Sequence, residues 1–263
     1  VFVVDGSDLE AAVPGSVVVV TGAEGRHAVT VRRVRVGEGV DLVDGSGRRA
    51  SGQVSTISGK DSLMVTVTGV TLEQPHLPRV TVVQALAKGD RGELAVELLT
   101  EIGVDRIVPW AAARCVTQWR DDRADRQWKR WADAAISAAK QSRRAVFPVV
   151  SPLATTGQVV ALLQTADAAL VLHERAVVSI GSITVPESGD LVVVVGPEGG
   201  LAPGELSAFE AVGAVSVRLG PSVLRTSSAG MAAVAALLAR TRRWSVPPEA
   251  DVAAKARVEG WPS

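Results

Sequence analysis

Tyrosine is absent from this chain, cysteine occurs once (Cys115), and histidine three times, at His27, His76 and His173. A single cysteine cannot form an internal disulfide, and three separated histidines give no metal-ligand spacing, so no metal site is expected. The longest apolar run, Ala229 to Ala239, is too short to cross a bilayer, and no membrane partner is expected. Charge of one sign is lacking too: 28 Lys and Arg balance 28 Asp and Glu. With no global field, contact with nucleic acid must come from local basic patches. The dinucleotide fingerprint Gly-x-Gly-x-x-Gly and the phosphate-binding Gly-x-x-x-x-Gly-Lys-Ser/Thr are both missing, and Gly59-Lys60 has neither the upstream glycine nor the following hydroxyl. That disfavours a dinucleotide-dependent oxidoreductase. No signal peptide is visible, and because the chain starts at Val1 without methionine its extreme N-terminus is expected to be trimmed. A cytoplasmic location is expected.

What is present is enough apolar content, 47% of 263 residues, for one large or two modest cores. Residues 1 to about 72 read as β-rich: Val1–Val4, Val17–Val20, Val40–Val43, Gln53–Ile57 and Leu63–Val70 are short β-branched runs. Asp44-Gly45-Ser46-Gly47 signals a hairpin turn. Between these strands Glu24 to Arg35 carries Arg26, His27, Arg32, Arg33 and Arg35 on a short helix. That segment is either a solvated face or a patch for an RNA backbone. Pro75-His76-Leu77-Pro78 reads as a linker, with the domain boundary near residue 75.

From Arg79 onward strands and helices alternate, the pattern of a parallel α/β sheet. Val80–Leu86, Ile107–Trp110 and Ala168–Leu172 read as strands, and Glu93–Ile102 as a helix capped by Gly103. Asp121 to Arg144 is amphipathic, with Trp128 and Trp131 as core or interface anchors rather than stacking platforms. Thr155–Thr165 is a further helix, and Cys115 a packing residue.

The chain is organised around Leu191 to Leu238. Leu191–Val195, a strand buried on both faces, runs into Gly196-Pro197-Glu198-Gly199-Gly200-Leu201 and a helix opened by Pro203. Val215–Leu219 runs into Gly220-Pro221-Ser222-Val223-Leu224-Arg225-Thr226 and a long helix, with Thr226 or Ser227 suited to its N-cap. Both loops are expected at the carboxyl ends of neighbouring parallel strands, where open α/β sheets bind ligands.

Gly196-Pro-Glu-Gly-Gly200, Leu219-Gly220 and Leu224-Arg225-Thr226 resemble the signature of RsmE-type ribosomal RNA uridine-N3 methyltransferases of the SPOUT class. The resemblance covers nearly the whole chain. It departs at Ser227, where the family has glutamate, and at Leu98, where it has lysine. It implies an α/β fold: a PUA-like, RNA-binding β-barrel over residues 1–74, a SPOUT domain over 75–245 whose C-terminal chain forms a trefoil knot, and a peripheral tail over 246–263. It implies S-adenosylmethionine as cofactor, held by Leu172, His173, Gly196, Pro197, Glu198, Gly199, Gly200, Leu219, Gly220, Leu224, Thr226 and Ser228. It implies a homodimer acting on a uridine of 16S ribosomal RNA, free or in the assembled small subunit. RNA contacts are expected at Arg26, His27, Arg32, Arg33, Lys88, Arg114, Gln141 and Arg144, although His27 suits a structural role equally and the cations suit ordinary surface charge. For catalysis Arg225 is the candidate to hold charge developing on a uracil oxygen. Glu198 is the candidate base or cofactor anchor, with helix capping as its structural alternative. The rival functions are a ribose 2′-O-methyltransferase, disfavoured because no asparagine stands in Leu224–Ala229, and a non-catalytic RNA-binding assembly factor.

Overall fold

The computed structural model describes residues 1–120 and 122–245. The tail expected to be peripheral, 246–263, and Asp121 at the start of the expected amphipathic helix lie outside them.

The N-terminal part comprises β1 (Phe2–Val3), α1 (Gly6–Glu10), β2 (Val17–Val20), α2 (Gly22–Arg26, running into a wider turn over His27–Val31), β3 (Gly39–Val43), β4 (Arg48–Ser58) and β5 (Ser62–Leu72). Its five strands form one sheet in the order β1-β3-β4-β5-β2. Alternation along β2, β4 and β5 sends Val18, Val20, Ala50, Val54, Leu63, Val65 and Val67 to one face, where they meet Phe2, Leu9, Ala28 and Leu42. Two register shifts between β4 and β5 let this sheet bend around that core. At the first of these shifts a Cβ on Gly52 would lie 2.5 Å from the Thr66 carbonyl oxygen.

The C-terminal part has β6 (Arg79–Ala85), α3 (Arg91–Glu101), β7 (Arg106–Trp110), α4 (Asp122–Gln141), β8 (Val149–Val150), α5 (Thr156–Gln164), β9 (Ala168–Leu172), β10 (Val178–Ser179), β11 (Asp190–Val195), α6 (Pro203–Ala211), β12 (Val215–Arg218) and α7 (Thr226–Leu238). The seven strands are all parallel, in the order β10-β12-β9-β11-β6-β7-β8. Leu191 to Val195 on β11 and Val80, Val82 and Val83 on β6 are fully buried, as central strands of a sheet covered on both faces require. α7 wedges between α3 and the sheet centre. The packing is tight at Gly230, where a Cβ would lie 3.0 Å from Leu99 and 3.2 Å from Val195.

Two expectations need correction. β11 and β12 are not neighbours, because β9 lies between them and pairs with both. The cap of α7 is Arg225, not Thr226 or Ser227. The Thr226 hydroxyl instead donates to the Gly196 carbonyl at 3.3 Å, tying the two glycine loops together.

Candidate active site

The carboxyl ends of β9, β11 and β12 open into one cleft of about 780 Å³, within the range of small-molecule sites. The inserted strand β9 explains why three loops rather than two contribute: it brings Leu172 and His173 between the Gly196–Leu201 and Leu219–Thr226 segments. Leu172, Leu201, Leu206 and Leu219 supply apolar wall, and backbone of the glycine loops supplies the floor.

The local reasons for these shapes are specific. A Cβ at Gly199 would stand 3.1 Å from the Arg114 carbonyl oxygen and 3.2 Å from its Cβ, so the loop sits close against the segment after β7 and any side chain there would force the two apart. At Gly220 the opposite holds. Its Cβ would meet nothing within 4 Å and its backbone is not left-handed. No neighbour in the chain demands a glycine at 220; the free space belongs to the cleft, where a ligand could approach the backbone closely.

Glu205, at the third position of α6, is buried at 6% exposure and holds the site's frame. One carboxylate oxygen accepts from the Ala113 amide at 2.7 Å and from the Thr156 hydroxyl at 3.4 Å; the other accepts from the Ala202 amide at 2.9 Å. The Trp110 indole donates in turn to Thr156 at 3.3 Å. One carboxylate thus joins the loops after β7 and β11 to the start of α5, and fixes Arg114, whose Nη1 donates to the Gly199 carbonyl at 3.4 Å. Glu205 was not among the residues expected from sequence. Its signal was a Glu three residues after a helix start, which reads as an ordinary cap.

Of the residues expected at a cofactor, Leu172, His173, Gly196, Pro197, Glu198, Gly199, Gly200, Leu219, Gly220, Leu224 and Thr226 all line the cleft. Ser228 does not: its hydroxyl turns back to the Arg225 carbonyl of its own helix at 3.3 Å, and Ala229 lines the cleft instead. His173 accepts from the Arg175 amide at Nδ1 (3.2 Å), which leaves Nε2 as the donor. Glu198 is not a helix cap. Its carboxylate accepts from the Lys88 amide at 3.3 Å and lies 3.7 Å from Arg91, so it faces the loop before α3. Around the cleft stand Arg91, Arg114, Arg175, Arg218 and Arg225 against Glu174 and Glu198, a net positive mouth on a neutral protein. Arg91, Arg175 and Arg218 were missed because neither motif nor spacing marked them.

The residues expected to touch RNA divide. Arg26, Arg32, Arg33, Lys88 and Gln141 are exposed, and His27 is half-buried with its ring edge-on to Phe2 at 6.3 Å. Arg114 joins the cleft. Arg144 is a correction: its guanidinium donates to the carbonyls of Val146, Thr100 and Val104 at 2.9, 2.8 and 2.9 Å, closing the C-terminal end of α3. Burial pulls that guanidinium below its ordinary value, and its donors face protein rather than solvent. Trp131 is core at 3% exposure, and Trp128 donates to the Val150 and Ser151 carbonyls at 3.1 Å each. Cys115 is buried, and burial pushes its thiol above the ordinary value, as suits a packing residue.

Residues 73–238 match the RNA methyltransferase domain family and residues 20–68 the RNA methyltransferase PUA domain. The chain is 48% identical over 234 residues to ribosomal RNA small subunit methyltransferase E of Mycobacterium bovis, covering 88% of this chain and 89% of that protein. It is 31% identical over 230 residues to the Bacillus subtilis protein of the same name, covering 84% and 90%. The crystal structure of a Neisseria gonorrhoeae ribosomal RNA small subunit methyltransferase E bound to S-adenosylmethionine aligns with a TM-score of 0.78 at 28% identity, covering 90% of this chain and 96% of that one.

Proposed function

Because the chain belongs to the ribosomal RNA small subunit methyltransferase E family, we propose that it methylates N3 of a uridine in 16S ribosomal RNA. It is an RNA methyltransferase that uses S-adenosylmethionine. The observation that carries the finer reading is the single cleft in which the glycine loops, the apolar walls and Arg225 converge.

The residues present fit that cofactor: apolar leucine walls for a flat ring, exposed backbone at Gly199 and Gly220, and the open space beside Gly220. When bound, S-adenosylmethionine supplies a methyl group on a positively charged sulfur. Everything else falls to the protein, and for an in-line displacement that is mainly positioning. Leu172, Leu219 and the 196–200 backbone orient the donor. Arg225 caps α7 without using its side chain, and its guanidinium makes no ion pair among the described residues. It is therefore free to hold the negative charge that develops on a uracil oxygen. Glu198, the carboxylate of the first glycine loop, takes the N3 proton. N3 is hidden in a base pair, so the target uridine must be unpaired or flipped out.

Several further assignments rest on the same reading. The N-terminal domain (1–74) holds RNA and the SPOUT domain (75–245) carries the chemistry. A C-terminal knot is supported by the insertion of β11 between the earlier strands β6 and β9, followed by α7 wedged against α3. A homodimer is supported by Val223 and Leu224, exposed at 79% and 41% beside the cleft. Among the described residues no helix is long and apolar enough to cross a membrane, and a cytoplasmic location follows from a ribosomal substrate.

The test is to incubate the protein with methyl-labelled S-adenosylmethionine and small-subunit ribosomal RNA, free or in subunits, then digest to nucleosides for mass spectrometry. Labelled 3-methyluridine is expected. A 2′-O-methylated nucleoside would transfer the chain to the ribose methyltransferases, and no label on either substrate would support a binding factor.

A further inference from the structure

The two carboxylate oxygens of Glu198 have different surroundings. Glu198 is the second residue of a tight turn, closed by the Gly200 amide donating to the Pro197 carbonyl at 2.9 Å. The next residue, Gly199, lies against Arg114, whose Nη1 donates to the Gly199 carbonyl at 3.4 Å. Backbone is held on both sides of Glu198, and what remains to be fixed is the side chain. That is done at one oxygen: Oε1 accepts from the Lys88 amide at 3.3 Å and lies 3.7 Å from Arg91 Nη1. Among the described residues no hydrogen bond or ion pair reaches Oε2. The side chain is partly exposed and lines the cleft, so Oε2 is the oxygen left for a ligand.

Arg91 has no local reason to stand where it does. It is the first residue of α3, the positive pole of that helix, where a cation is disfavoured. The acids beside it are taken by another partner: Arg130 pairs with Glu93 at 2.8 Å and lies 3.9 Å from Asp90. Its side chain is half-exposed, so core packing does not account for it either. Its one ion pair among the described residues is with Glu198.

We infer that Arg91 is a positioning residue for the reaction: with the Lys88 amide it holds Glu198 by Oε1, so that Oε2 is presented to the target base. The uracil N3 gains the methyl group and loses its proton to Oε2, while the electron pair of the broken carbon–sulfur bond stays with sulfur. The inference rests on the reading of Glu198 as the base. It names a residue that neither motif nor family signature singled out.

The experiment measures initial rates of methyl-label transfer to small-subunit ribosomal RNA, free or in subunits, for wild type, Arg91→Met, Arg91→Lys, Glu198→Gln and the Arg91→Met/Glu198→Gln double variant. Arg91→Met should lower kcat about tenfold or more, since displacing a reacting group by about 1 Å can cost about a hundredfold. KM for RNA and the calorimetric affinity for S-adenosylmethionine should stay within about twofold of wild type, because Arg91 is expected to touch neither. Arg91→Lys, which keeps the charge, should recover most of the rate. In the Glu198→Gln background Arg91→Met should cost less than about twofold, because the group it positions is already disabled.

A raised KM at unchanged kcat would make Arg91 a phosphate contact and overturn the inference. Equal losses of kcat with and without Glu198 would show that Arg91 acts elsewhere and overturn it too. The melting temperature of Arg91→Met should stay within about 3 °C of wild type, as for an exposed ion pair. A larger drop accompanied by lost cofactor affinity would make Arg91 structural and overturn the inference equally. Wild-type kcat in Glu198→Gln would remove the base assignment, and the positioning with it, while leaving the methylation itself in place.

Discussion

The two rims of the seven-stranded sheet use arginine to opposite ends. At the amino rim four guanidiniums are engaged. Arg243, 4% exposed at its side chain, donates to the Pro78 carbonyl at 2.8 Å, to both Asp105 oxygens at 2.6 and 3.1 Å, and to the Gly103 carbonyl. Arg79 forks onto Asp190 with two bonds of 2.9 Å, Arg106 donates to Ser151 at 2.7 Å, and Arg144 closes the end of α3. At the carboxyl rim Arg91 and Arg114 have only long contacts, at 3.7 and 3.4 Å. Arg175, Arg218 and Arg225 make no ion pair among the described residues. One rim uses charge to hold the chain together; the other keeps charge available for a ligand. An arginine's role here follows from which rim it stands on.

The comparison breaks most visibly at Arg243. Arg243→Ala would leave the Asp105 carboxylate with the Val80 amide as its remaining partner, and about 3 kcal/mol of stability should be lost, read as a lower urea midpoint. The folded fraction should still bind S-adenosylmethionine within about twofold of wild type. A loss below about 1 kcal/mol would mean that the amino rim is no more structural than the other.

A smaller effect sharpens the boundary between the rims. Glu205 is a structural carboxylate placed under the functional rim, so it should show both signatures. Glu205→Gln keeps the volume but sets an amide donor against the amides of Ala113 or Ala202. One lost charge-assisted bond and one clash should weaken cofactor affinity about tenfold, roughly 1.4 kcal/mol, in a calorimetric titration. Unchanged affinity with lowered stability would place Glu205 wholly with the frame.

Much of this architecture was legible because apolar runs are long at the sheet centre. Leu191–Val195 and Ala168–Leu172 identify themselves as buried strands, and alternation with helices implies a parallel sheet. The two-residue strands β8 and β10 were not legible, since two residues carry no period. Nor was strand order: β9 pairs with both β11 and β12 through contacts remote in sequence, so the loops expected to adjoin are bridged by a third. Within the cleft, the glycine loops announced themselves by composition. The capping arginine did not, because a favourable N-cap hydroxyl at Thr226 was diverted to the Gly196 carbonyl by a tertiary contact. Arg144 and Arg225 look alike in a string of letters. One meets three carbonyls and the other none, and only folding decides which.

The central claim is that the carboxyl rim holds the methyl donor against the 196–200 loop. Calorimetric titration of S-adenosylmethionine into wild type and Gly199→Val tests it most directly, because a side chain at 199 would collide with Arg114 and fill the loop's face of the cleft. Binding by wild type that the variant abolishes, with the variant still folded, is the predicted result. Equal binding by both proteins would contradict it and move the donor site elsewhere on the molecule.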